Sequence, residues 1–161
     1  MILHKRGTDL AIRVLLDEKL YFLQFYERWF ENFEIMRDHV FTAVPLPQRI
    51  GVGEHDKDQM AKKLDLQGVG GFTDSKKRAA VQEIWEGLAG LLEAAKKNVG
   101  QGETFYVTVF GFAISVMVCK SGPRSTELVR REFPIVIYYA NRIWKKWFGC
   151  YSSPFEGSGS A

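Results

Sequence analysis

The side chains with the widest chemical reach stand close together early in the chain. Tyr21, Phe22, Phe25, Tyr26, Arg28, Trp29 and Phe30 share one short stretch. They are more aromatic surface than one helix face usually consumes in a core. An aromatic wall with one guanidinium and two phenols is how a pocket for a planar or acidic apolar ligand is made. The competing reading of the same residues is plain core packing.

A second group lies late in the chain. Arg124, Arg130, Arg131, Arg142, Lys145 and Lys146 are interleaved with Trp144 and Trp147. Cations among aromatics suit an acidic partner or an anionic surface. Helical spacing also allows the simpler arrangement, with aromatics turned inward and cations solvated. The remaining candidates are weaker. Glu54 to Asp58 holds four ionisable neighbours of Asp56, but adjacent ligands rarely converge on a metal, and His4 and His39 show no ligand spacing; no metal is expected. Gly68-Val69-Gly70-Gly71 lacks the Lys-Ser/Thr of a phosphate loop and reads as a turn. Ser115 has no GxSxG frame, and Cys119 lies near the C-terminal end of its expected helix, where the dipole disfavours a thiolate. No catalytic residue is expected.

These residues need helices to hold them. Thr8-Asp9 opens a stretch in which Leu10, Val14, Tyr21, Phe25 and Trp29 mark turns and Leu15, Leu16, Leu20 and Leu23 add a second apolar face. The spacing predicts one long helix over 9–33, continuing through Ile35, Met36 and Val40 until Pro45 and Pro47 stop it near Val44. Arg49 to Lys57 reads as a loop, followed by a short helix over 58–66 and the Gly68–Gly71 break. Thr73 is the expected N-cap of an amphipathic helix with Val81, Ile84, Trp85, Leu88, Leu92 and Ala95 inward, closed by Gly100 and Gly102. Phe105 to Lys120 has strand-like composition, but no second strand exists to pair with it, so a buried helix is expected. Ser125 to Phe133 forms a short helix, and Pro134 starts a last one with Val136, Tyr139, Ala140, Ile143, Trp144 and Trp147 inward.

The chain has 161 residues, 46% hydrophobic and 25% charged, which fits one folded domain over 8–150, with 1–7 as an extension and a Gly/Ser-rich tail over 151–161. A net charge of +3 is too near balance for a general polyanion binder, so nucleic acid is not an expected partner. Two cysteines, Cys119 and Cys150, make no disulfide framework and suit a reducing compartment. No secretion signal is evident. The longest uncharged apolar run, Phe105 to Cys119, would reach only about 22 Å as a helix, short of a bilayer core.

Several strings together carry a resemblance. Leu15-Leu16-Asp17-Glu18-Lys19-Leu20-Tyr21-Phe22 is followed by Tyr26-Glu27-Arg28-Trp29 and Asn32-Phe33. After these come Phe41 to Pro47, Leu64 to Gly70, Thr108-Val109-Phe110-Gly111-Phe112, Ser125 to Pro134 and Ile137 to Ile143. In this order they resemble the C-terminal helical domain of the glutathione transferase superfamily, in its metaxin-like branch with the failed axon connections family. The resemblance spans about Thr8 to Phe148. It implies an all-α bundle around a buried central helix at Phe105 to Cys119. At the start of that helix Thr104 stands without the usual capping Asp three residues on, where Val107 occurs.

The resemblance also implies a division of labour. In the superfamily the glutathione site lies in a thioredoxin-like domain of βαβ units, a pattern this chain lacks, so glutathione is an expected cofactor only where such a domain is supplied. The first reading is then a non-catalytic helical domain that binds a small apolar ligand or a protein partner. Tyr21, Phe25, Arg28 and Trp29 are its ligand-binding candidates. The alternatives are the substrate-pocket domain of an active transferase, and an interaction module at the mitochondrial outer surface using Arg142, Lys145 and Lys146. A homodimer through the first and the Thr73-initiated helices and a cytoplasmic place are further implications.

Overall fold

A computed structural model describes residues 3–97 and 122–148. Every regular element among them is helical, and no strand occurs there. The all-α expectation therefore holds for the described residues. The helix expected over Phe105 to Lys120, the degenerate cap at Thr104, both cysteines and the tail lie outside them.

The chain starts as α1, Leu3–Leu15, inside the stretch read as an extension. It continues without a break through a π turn at Leu16–Leu20, α2 at Tyr21–Tyr26 and a second π turn at Glu27–Glu31. The π turns explain which face is buried. Ile12, Leu16, Leu20 and Gln24 recur every fourth residue and are all buried. In an α-helix of 3.6 residues per turn such a ladder would drift around the axis; a turn closed five residues on holds it on one side. Leu10 and Val14, read as the leading stripe, are correspondingly turned to solvent, 63% and 50% exposed. At Asn32 the backbone leaves helical geometry, and both its amide N–H and its side-chain Nδ2 donate to Glu27 O, at 3.1 and 2.9 Å. The single helix expected over 9–33 and onward thus breaks here, and α3 spans Phe33–Val40.

The largest correction concerns the prolines and the loop after them. Pro45 caps α4, Leu46–Leu66, and Pro47 sits in its first turn, where a missing N–H costs nothing. Arg49 folds back so that Nε and Nη2 donate to Val44 O and Nη2 also to Thr42 O. Of the two glycines in the stretch read as a loop, Gly51 is exposed and Gly53 is a packing residue. A Cβ on Gly53 would stand 2.7 Å from Arg37 Cγ, so glycine lets α3 and α4 approach.

The end of α4 follows the sequence reading. Gly68 adopts φ 73, its N–H donates to Asp65 O and the Val69 N–H to Leu64 O, which is a Schellman closure with Val69 and Leu64 both buried. Thr73 Oγ1 accepts from the Lys76 N–H and opens α5, Asp74–Lys97. Its inner stripe is as expected where it is described: Val81, Trp85, Leu88 and Leu92 are buried and Ile84 is half-buried, while the Ala95 side chain and the closing Gly100 and Gly102 lie outside the described residues. The last two helices among the described residues are α6, Pro123–Glu132, and α7, Pro134–Phe148, separated by buried Phe133. α6 starts two residues earlier than expected because Pro123 takes the first-turn position.

Helices α5, α6 and α7 pack on one another, and Val129, Phe133, Val136 and Tyr139 join the α5 stripe in one core with the first helix; Ala140 and Ile143 of α7 are buried too. Burial of such side chains contributes about 1.5 to 3 kcal/mol each before entropy is counted. No described helix is long and apolar enough to cross a membrane.

Candidate functional site

The aromatic residues of the first helix do come together. Tyr21 and Phe25 have ring centroids 5.8 Å apart, Phe25 and Trp29 6.1 Å, and the Arg28 guanidinium carbon lies 6.0 Å from the Phe25 centroid. Their environment is that of a core edge. Phe25 and Trp29 are 7% and 6% exposed, while Tyr21 and Arg28 are half-buried.

Arg28 stands out electrostatically. Its Nε is enclosed without a hydrogen-bond partner. Burial pushes the guanidinium below its ordinary pKa, against opposing pulls from Tyr21 and Glu27. A guanidinium with an unused enclosed donor beside an aromatic stack is chemically suited to an acceptor oxygen.

Two helix-lined concavities lie elsewhere, and neither is lined by those four residues. One, of about 360 Å³, runs between the first helix and α5 and is floored by the 68–72 turn. Leu15, Leu23, Val69, Phe72 and Ile84 give it an apolar lining, with Lys19 and Glu83 at its rim. Leu15, Lys19 and Leu23 follow one another at four-residue steps across the first π turn, which is how the first helix presents them together. On the α5 side Gly87 leaves the wall low: a Cβ there would meet nothing within 4 Å. The sequence places Leu15, Leu23 and Ile84 on apolar helix faces and Val69 in a turn without joining them, because a groove is a relation between two helices and the Gly68 closure, not a property of one stripe.

The other concavity, of about 320 Å³, separates α5 from α6 and is lined by Arg78, Gln82, Arg124, Glu127, Leu128 and Arg131 among others. The expected partner-binding residues are farther along. Arg142 and Lys145 are exposed on α7, and the Lys146 side chain lies outside the described residues. Burial, opposed by Arg142, holds the Tyr139 phenol above its usual pKa. The acidic run Glu54 to Asp58 is wound into α4, and no group of three or more metal-type ligands forms among the described residues.

A cluster that no motif announced ties the first helix to α5. The Tyr26 hydroxyl donates to Asp74 Oδ1 at 3.0 Å, and buried Lys77 places Nζ 3.6 Å from the Tyr26 ring centroid and 3.5 Å from the same carboxylate oxygen. Asp74 also sits at the N-terminus of α5, where negative charge is favoured. No protein-family model matches the chain, and no solved structure matches it.

Proposed function

We propose that this chain is a binding domain, a helical bundle of the glutathione-transferase C-terminal type, metaxin-like, that holds a small apolar ligand and does no chemistry on it. The observation that carries the reading is the apolar groove between the first helix and α5. Its volume of about 360 Å³ falls at the lower end of the 300 to 1,000 Å³ usual for small-molecule sites. Its lining is aliphatic and aromatic, with one cation and one carboxylate at the rim. Such a site takes a compact ligand and orients it by its polar end. The family part of the reading rests on the order of strings along the sequence.

The test uses the space at Gly87. Gly87→Phe adds a ring where a Cβ meets no neighbour, and it removes a helix glycine, so the fold is kept or strengthened. The expected result is that native mass spectrometry of the purified chain finds a co-purified apolar molecule, or that the chain binds an anilinonaphthalene sulfonate probe, and that Gly87→Phe loses either. Unchanged binding in Gly87→Phe overturns the groove as the site. Conjugation of glutathione to an aryl halide by this chain overturns the non-catalytic reading.

A further inference from the structure

The concavity between α5 and α6 is of a different kind from the apolar groove. Arg78 comes from α5, Arg124 and Arg131 from α6, and Val81 and Leu128 give the floor an apolar element. We infer that this groove recognises an acidic peptide segment in polyproline II form, with a carboxylate at each end of an apolar residue pair.

Three observations lead there. First, the cations are spaced along a rigid element. Arg124 and Arg131 are seven residues apart on α6, about 10 Å at 1.5 Å per residue. Three residues of a polyproline II chain span nearly the same length, about 3.1 Å each, and complete one turn. Carboxylates three apart in such a chain therefore lie on one edge and meet both guanidinium groups, and the two side chains between them splay to either side, one of them over Leu128.

Second, the guanidinium groups keep donors to offer. Arg124 Nη1 is held by Glu31 Oε1 at 2.6 Å, which fixes the side chain while leaving it 38% exposed. Arg131 uses Nε on Glu132 and is 69% exposed. Each guanidinium has five donors, so one ion pair pre-orients the group without using it up.

Third, the groove contains an acid. Glu127 faces the same space as the three arginines. A polyanion with a charge at every step, such as a nucleic acid or an anionic bilayer, would meet that carboxylate repeatedly. A peptide with two spaced carboxylates does not have to, and a lysine or backbone N–H between them gives Glu127 a partner.

The probe is a fluorescein-labelled peptide containing Glu-Leu-Leu-Glu, titrated by fluorescence anisotropy against the whole chain, with a Lys-Leu-Leu-Lys peptide as control. The acidic peptide is expected to bind, more weakly as salt is raised. Arg78→Glu/Arg131→Glu, both at exposed positions, should weaken it by about tenfold or more. Glu127→Gln should tighten it by a few fold. Circular dichroism and the thermal midpoint check that the double variant folds; should it not, Arg131→Glu alone, at a position 69% exposed, carries the same expectation of weaker binding. Absence of binding, equal binding of the lysine peptide, or unchanged binding in the arginine variants overturns the proposal. So does binding of duplex nucleic acid or anionic vesicles that the peptide cannot displace.

Discussion

Glu27 reaches across the bundle to cap α6 at its first-turn residue Ser125, ninety-eight residues later in the chain. Its Oε1 accepts the Ser125 N–H at 2.9 Å, and its Oε2 accepts the Ser125 hydroxyl. The carboxylate is 1% exposed, and α6 has no side-chain cap of its own. The second π turn makes this geometry available, since the same turn presents Glu31 to Arg124. An acid that reads as the polar side of a helix is thus the N-terminal anchor of another.

Removing the anchor should be costly. Glu27→Ala leaves a buried N–H and hydroxyl unsatisfied and is expected to lower stability by about 2 to 3 kcal/mol. Glu27→Gln keeps one acceptor oxygen and should lose less. Glu31→Ala breaks only the partly exposed pair to Arg124, worth about 0 to 1 kcal/mol. Urea midpoints at unchanged m-value give the order directly. An equal loss in all three would show that Glu27 is not the cap.

Gly122 is coupled to the same carboxylate. A Cβ at Gly122 would stand 2.6 Å from Glu27 Cδ and Oε1, closer than atoms tolerate. Gly122→Ala alone should therefore destabilise by about 1 to 3 kcal/mol. In the Glu27→Ala background the obstruction is gone, so its cost should largely vanish. A double-mutant cycle reads that coupling, and additive losses would count against the contact.

How much of this was legible in the sequence depends on how far apart the partners lie. The Thr73 cap, the Gly68 closure and the α5 stripe were readable because each is decided within a few residues. Pro45 and Pro47 misled, because the same residue that stops one helix opens the next, and only Arg49 folding back on the Val44 and Thr42 carbonyls shows which. Gly53 looked like a loop residue until Arg37 was seen against it. The aromatic cluster was visible as a cluster, yet the π turns that decide which of its members are buried leave no composition signal. Both grooves pair residues from separate helices, so no local pattern could assemble them.

The Asp74 cluster should give stability a dependence on acid pH. The hydrogen bond from Tyr26 holds the Asp74 pKa below its ordinary value, with Lys77 and Arg78 adding to it. A folded pKa below the unfolded one means that the contribution is full above the unfolded carboxylate value of about 3.9 and drains away as pH falls through the folded value. Asp74→Asn should therefore lower the thermal midpoint at neutral pH, and the gap to the parent chain should close below about pH 4. A constant gap across that range would assign the effect to something other than the ionised carboxylate.

Arg28 separates a binding role from a packing role by the sign of one substitution. Its enclosed Nε has no hydrogen-bond partner, and burial pushes its pKa down. An unsatisfied enclosed donor is a liability that an apolar chain of similar length removes. Arg28→Met is therefore expected to leave the empty protein unchanged or to stabilise it by up to about 1 kcal/mol, keeping the contact with the Phe25 ring through the thioether. A residue kept at such a cost for a ligand should show the opposite sign once an acidic apolar ligand is present. The parent chain should then gain thermal stability from an aryl carboxylate, rising with the logarithm of its concentration once the site is mostly filled, and Arg28→Met should gain none. If Arg28→Met destabilises the empty chain by more than about 1 kcal/mol, the guanidinium is holding the fold together. Tyr21, Phe25 and Trp29 would then be packing residues, with the groove beside Gly87 left as the ligand site.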